Sequence, residues 1–594
     1  MLGVYAVNAY CFDFFYDLND DMVIKDILSG AYTGKPEGHT NQMLYPLGAV
    51  LGLFYQVLPK APVFGFFVCG CMGLCVAMIS YRMQGFFKNT RVKYAADVLL
   101  VFVFLGLMLW ELVYVQYSVV CGILAGTACF WFYTTPIDES ISEFWKKNIP
   151  ALLLVWLAFQ IRSEMLLLTG PFIATVGIWH WMESAMLEKE NALDFEKEKL
   201  WKHALSKDNI CKYILFVAVM IAGLGLSLGA DCLAYKSLEW KEYREFFDAR
   251  TKVYDYTWYP AYEEQKEFYE ENGISEIQYR LIDNYNFGLD ETIDENTLTT
   301  IASYGEKPKM LGSFAYRVKS SLMEIVKRTF SLQDAPYNYF VLAGYGLVIG
   351  LAVLQKEKKY YWKLMVLVGM RCIPWFYLVF VQRAVDRITH PLYIIEFFVL
   401  LAMLAKELYD RPLWNVEKYY RMAAAGVLVA VAVISLPFGF MEVNMEQVRR
   451  EQSLEKQNLW DDYAKANPGN YYYLDVYSTI GFMEKMFEDV DNRQKNYDLL
   501  GGWVCKSPLQ QEARAKYVDV DAESVSIAEL LLTDNFYFVA ESDRDITFMV
   551  DFYESKDKKV TLELQETIGD GENPFQVYKV VEQKGVTLKK GKKK

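Results

Sequence analysis

The sequence predicts an all-α polytopic membrane protein of about 11 transmembrane helices, with an extracytoplasmic α/β domain at its C-terminal end. Three observations point there. Apolar residues make up 53% of the chain and collect in runs too long for ordinary core helices. Mean hydropathy is nonetheless only +0.07, as long polar segments between the runs would make it. Past residue 441 the apolar runs give way to charged helical stretches and short strand-like segments.

Taken in order, the candidate spans are 1–16, 63–80, 94–110, 113–133, 149–161, 166–182, 211–230, 338–354, 362–381, 389–405 and 421–440. The opening MLGVYAVNAYCFDFF lacks a basic n-region and a small-residue cleavage site, so it reads as a span, shortened at its start, rather than a signal peptide. Residues 44–59 (LYPLGAVLGLFYQVLP) are apolar as well. Counting them as a span would put the basic stretch 81–93 beside the acidic 17–43, so they read as a helix lying in the interface. About 19 Lys and Arg then fall in connections 81–93, 134–148, 183–210, 355–363 and 406–421, against about five in the short loops opposite. The first side is therefore expected to be cytoplasmic.

The other side receives 17–43, the turns near Glu111, at 162–164 and at 382–388, the segment 231–337, and everything after 441. Segment 231–337 is acidic, aromatic and helical in pattern, too long and too aromatic for a linker. From 441 a polar helix (444–466) runs to Asn467-Pro468-Gly469, and YYYLDV, FYFVAE, VTLELQE and FQVYKVV read as strands. The expected organisation is a transmembrane domain over 1–440, with outer loops 17–62 and 231–337, followed by a soluble domain over 441–594.

A net charge of −13 excludes a nucleic-acid partner, because phosphate backbones call for a basic surface. The one basic cluster, Lys589 to Lys594, reads as a solvated end. Most of the ten cysteines lie in apolar runs and pack as small hydrophobes, with no zinc-ligand spacing among them.

Ionisable groups at span ends are costly in hydrocarbon and mark a substrate path or a structural pair. Here Asp20 and Asp21 follow the first span, and Glu111, Gln116, Arg162, Glu164, Arg383, Asp386, Arg387 and His390 come to the same outer face from separate segments. Such a set can take a proton from an incoming hydroxyl while holding a phosphate that departs. On this reading Asp20 or Asp21 is the base, Arg383, Arg387 and His390 hold the phosphate, and Asp386 orients an arginine.

The acidic pair in Asn19-Asp20-Asp21, followed by an apolar interfacial helix opening with Tyr45-Pro46-Leu47-Gly48, resembles the GT-C class of membrane glycosyltransferases, including the protein O-mannosyltransferase and aminoarabinose transferase types. The stretch RAVDRITHPLY at 383–393 looks like the late outer turn that faces the donor in that class. The chain as a whole also resembles large membrane proteins of Gram-positive anaerobes.

The resemblance implies a catalytic carboxylate in the first outer loop and a polyprenyl-phosphate-linked sugar as donor. It further implies membrane lipids around the site and a glycan or protein acceptor outside the cytoplasm. The chain lacks a WWDYG-type signature of oligosaccharyltransferases, so protein N-glycosylation is not implied. A requirement for a divalent cation stays open. Two other classes fit the same charge set: a glycolipid transporter or flippase, and a non-catalytic envelope scaffold.

Overall fold

The computed structural model describes residues 8–137, 140–190, 199–305, 312–409, 415–518 and 525–583. Two membrane-proximal helices come first, α1 (Asn19–Ser29) and α2 (Tyr45–Val57). A bundle follows: α3 (Val63–Gly85), α4 (Thr90–Val113), α5 (Tyr117–Thr134), α6 (Ile141–Ile161), α7 (Ser163–Glu190) and α8 (Lys207–Ala234). The polar segment holds α9 (Leu238–Thr251), α10 (Glu276–Asp283), α11 (Glu295–Tyr304) and α12 (Phe314–Phe330). The bundle then resumes with α13 (Tyr337–Gln355), α14 (Lys359–Phe380), α15 (Asp386–Tyr409) and α16 (Asn415–Ala466).

Among the described residues, nine helices are long and apolar enough to cross a membrane: α3, α4, α5, α7, α8, α13, α14, α15 and α16. The chain is a multi-pass membrane protein. Helix α6 matches them in length at 21 residues, its first turns carrying Glu143, Lys146 and Lys147. The expected opening span is different. Residues 1–7 lie outside the described residues, 8–11 form a single helical turn, and Phe12 onward is extended. Phe15–Tyr16 (β1) pairs in parallel with Tyr114–Val115 (β2), a strand pairing that a membrane helix over 1–16 would preclude.

Helix α2 has 13 residues, about 20 Å at 1.5 Å per residue, too short for a bilayer core. Leu47, Leu51 and Tyr55 face inward, while Leu53, Phe54 and Val57 are turned out. Helix α5 is the hub of the bundle, nearly all of it buried, and packs on α3, α6, α7 and most extensively α15. Close approach depends on Gly122 and Gly126: a Cβ on Gly122 would strike Pro391, and one on Gly126 would lie 2.9 Å from the Phe398 ring.

Helix α16 runs 52 residues, about 78 Å, so its apolar first half fits the bundle and its charged second half projects beyond it. It ends at Ala466, immediately before Asn467-Pro468-Gly469 as expected. Next come β3 (Tyr471–Leu474), β4 (Tyr497–Leu499), β5 (Phe536–Glu541), α17 (Thr547–Ser555), β6 (Val560–Ile568) and β7 (Phe575–Glu582). The sheet order is β4-β3-β5-β7-β6, with β3 parallel to β4 and β5, and β7 antiparallel to both neighbours. The sheet shares one core with the polar segment: Phe246, Val253, Leu281, Phe287 and Ile301 pack with Tyr471, Phe536, Phe538, Phe548 and Phe552. The lysine cluster 589–594 lies outside the described residues.

Candidate functional site

The turns 114–116, 162 and 381–385, residues 12–62, the polar segment and the sheet domain meet at one end of the bundle. Leu44 N–H donates to the Gln160 carbonyl (2.9 Å), Arg383 pairs with Asp255 (2.6 Å), and Lys25 pairs with Glu484 (2.5 Å). Two adjoining cavities open there. The larger, of about 1040 Å³, has its walls from α1, α5, α7, α9, the end of α14, the start of α15 and the loops after β3 and β4. A second, of about 650 Å³, reaches between α4 and α16. Asn19, Arg387 and Ile480 line both.

Helix α1 positions the acidic pair. Its first turn carries Asp20 and Asp21, where carboxylates suit the helix dipole. It stops at Gly30, whose φ of 86° and close approach to Pro36 N (2.8 Å from a would-be Cβ) require glycine. Asp20 faces the large cavity. Asp21, one residue and about 100° further round the helix, is buried instead. Its Oδ1 accepts the Tyr117 N–H (3.0 Å), and its Oδ2 has no partner among the described residues. Burial raises the Asp21 carboxyl well above the usual range, opposed by that N–H.

Arg162, Glu164, Arg383 and Arg387 line the same large cavity as Asp20. Arg162 follows the end of α6, donates to the Gln42 carbonyl (3.2 Å), pairs with Glu164 (3.1 Å) and lies over the Tyr117 ring. The Asp20 charge acts on Arg162, and the Arg387 charge acts on Asp21 and Tyr117. Arg383 has the Tyr256 ring beneath it in addition to its pairing with Asp255.

The remaining four predicted residues are placed elsewhere. Glu111 and His390 belong to the second cavity, where Glu111 Oε1 meets His390 Nδ1 (3.0 Å) and accepts the Tyr337 hydroxyl. Asp386 lines that cavity too, and its nearest cation is Arg328 (3.7 Å). Gln116 is buried as the cap of α5, its Oε1 accepting from Ser118 N (2.7 Å) and Val119 N (3.1 Å). That is a structural duty, set by the four orphan amides of the helix start.

Sequence reasoning missed the groups that arrive from the polar segment and the sheet domain. Arg250, Tyr254, Asp255 and Tyr285 wall the large cavity from one side, with Arg250 bonded to the Tyr285 hydroxyl. Asp498 enters from β4, accepting the Tyr32 hydroxyl (2.7 Å) and the Leu499 N–H (2.7 Å). Burial pushes the Asp498 carboxyl up to about 6, against the lowering effect of Tyr32. The only sequence signal was for the first four, which belong to a segment (231–337) too long and too aromatic for a linker, and nothing marked Asp498.

A pocket lined by the carboxylates of Asp20 and Asp248 and by several guanidinium groups, walled by tyrosines, suits an anionic ligand with hydroxyls. Among the described residues, no group of three or more His, Cys, Asp or Glu has the geometry to hold a metal ion. In comparisons with known proteins, no family model and no curated protein matches the chain. Among solved structures it is similar to ArnT from Cupriavidus metallidurans in the apo state, at 9% identity over 97% of this chain and 96% of that one, with a TM-score of 0.38.

Proposed function

We propose that the chain is an inverting membrane glycosyltransferase of the GT-C class, moving a sugar from a polyprenyl-phosphate donor to an acceptor outside the cytoplasm. One observation carries this reading: Asp20 shares a cavity of about 1040 Å³ with Arg162, Arg383 and Arg387 at the end of a membrane bundle. Asp20 accepts the proton of the acceptor hydroxyl, whose oxygen attacks the anomeric carbon. The bond from that carbon to the phosphate oxygen breaks, and the electron pair leaves with the phosphate. Arg387, which reaches both cavities, and Arg383 stabilise the departing charge. Attack on the face opposite the leaving phosphate inverts the sugar.

The charge bias supports this sidedness, with the lysine-rich connections cytoplasmic and the cavities at the opposite end of the bundle. The wall aromatics, Tyr117, Tyr254, Tyr285 and Tyr477, suit a saccharide better than a peptide backbone.

The test is complementation of a deletion strain, read by mass spectrometry of its glycolipids and surface polymers. The wild-type gene restores the missing sugar. Asp20→Asn, present in the membrane at wild-type level, restores it about 10²- to 10⁴-fold less efficiently, as expected for loss of a general base. Full restoration by Asp20→Asn overturns the assignment of the base, and an unchanged sugar inventory on deletion overturns the transferase.

A further inference from the structure

The turn that carries Arg383 and Arg387 has another side. There α12 packs along the last turns of α14, and a cleft of about 320 Å³ opens between them, sharing no lining residue with the large cavity and only Gln333 with the second. Arg317 lies over the Phe380 ring, 4.2 Å from its centre, and its Nε is buried with no hydrogen-bond partner. Ser320 and Ser321 place two hydroxyls on the same lining, and Gln333 and Gln382 two amides. Arg328, the other cation, is occupied by Asp334 (2.9 and 3.0 Å) and the Ala384 carbonyl (3.0 Å). Glu324, the one carboxylate on the lining, pairs with Lys327 (3.5 Å). Asp386 stands near Arg328 as well (3.7 Å), so among the described residues Arg317 is the lining cation with no carboxylate in ion-pair reach.

Helix α12 is also amphipathic in the sense of an interfacial helix. Leu322, Met323, Val326 and Phe330 are each more than half exposed, and Lys327 is exposed beside them. The neighbouring α14 is a membrane span, and its Met365 and Ile373 are exposed as well. Such a face suits an acyl layer, with the cleft beside it at the end of the span.

We propose that this cleft binds the phosphate of a membrane lipid. Arg317, Ser320 and Ser321 take the phosphoryl oxygens, and the acyl chains lie along the outward band of α12. The inference is independent of the transfer reaction, since none of the residues assigned to that reaction lines the cleft.

The experiment uses the full chain in neutral detergent and counts retained lipids by native mass spectrometry. The probes are phosphatidylglycerol, a diacylglycerol with the same chains, a polyprenyl phosphate and inorganic phosphate. Phosphatidylglycerol is retained and diacylglycerol is not. Arg317→Gln lowers retention about ten-fold, the weight of one charge-assisted contact, while Arg387→Gln leaves it unchanged. Ser320→Ala gives a smaller loss in the same direction and serves if Arg317→Gln fails to fold. Displacement of phosphatidylglycerol by the polyprenyl phosphate identifies the carrier lipid as the occupant, and its persistence identifies a phospholipid. Equal retention of diacylglycerol, retention unaffected by both Arg317→Gln and Ser320→Ala, or binding of inorganic phosphate alone overturns the proposal.

Discussion

Asp20 and Asp21 sit side by side in the sequence and in opposite environments. A one-residue step on α1 carries a side chain from the cavity into the protein, and Asp21 pays for its burial with an unpartnered oxygen. Asp21→Asn keeps an acceptor for the Tyr117 N–H and removes the buried carboxyl. It is expected to retain transfer and to melt no lower than wild type, whereas Asp20→Asn loses transfer at unchanged Tm. Thermal melts beside the complementation assay separate the two.

Asp498 adds a pH dependence of its own. Its folded pKa of about 6 lies above the unfolded value near 3.8, so the folded state holds the proton more tightly. Stability is then greatest below about pH 4, falls as pH rises toward about 6, and is level beyond, a span of roughly 2–3 kcal/mol. Asp498→Asn flattens that slope, which Tm measured from pH 4 to 7 reads directly. The acidic pair and the outer arginines were legible because charges at span ends stand out against apolar runs. Which member of the pair faces the cavity was not, because that depends on the phase of an 11-residue helix whose packing partners are far off in sequence.

At the level of elements, the tightest seam is that of α5 on α15. Gly122→Ala drives a methyl into Pro391, at about 1–3 kcal/mol for an overpacked contact, and lowers Tm by about 1–2 degrees. A glycine in an open stretch, such as Gly177, tolerates the same change. Long apolar helices were legible from run length, and so were the four strands with aromatic or β-branched alternation. The three-residue β4 was not, since Tyr497-Asp498-Leu499 is strand only through its pairing with β3. Likewise the sequence reads 1–16 as a span, but the backbone bonds of Phe14–Tyr16 run to the 114–115 and 484–486 segments: Tyr16 N–H to the Glu484 carbonyl (3.2 Å) and Met486 N–H to the Phe14 carbonyl (2.8 Å). Hydropathy reports burial and is silent about whether lipid or protein provides it.

Across the whole molecule, α1 is gripped by the sheet domain. Lys25 is buried between Asp26 (2.7 Å) and Glu484 (2.5 Å), and Lys495 closes on Asp26 from the other side (2.5 Å). Lys25→Met leaves the Glu484 carboxylate without its partner and is expected to cost about 3–5 kcal/mol. Lys25→Met with Glu484→Gln recovers much of it, and a double-mutant cycle on Tm measures the coupling. This part of the site was out of reach from sequence, because partners more than 450 residues apart carry no local pattern.

The shared core of the polar segment and the sheet has a consequence for biosynthesis. Tyr243 donates to the Trp503 carbonyl, and Phe287 lies in one cluster with Tyr473 and Phe538, so residues made early await residues made near the end. A nascent chain already threaded through the bilayer as far as α15 still holds Asp20 in an unfinished chamber. The chamber is therefore walled in full only once the chain has been made past residue 504, and translation arrested before it yields an inserted protein that lacks the Trp503 and Val504 wall.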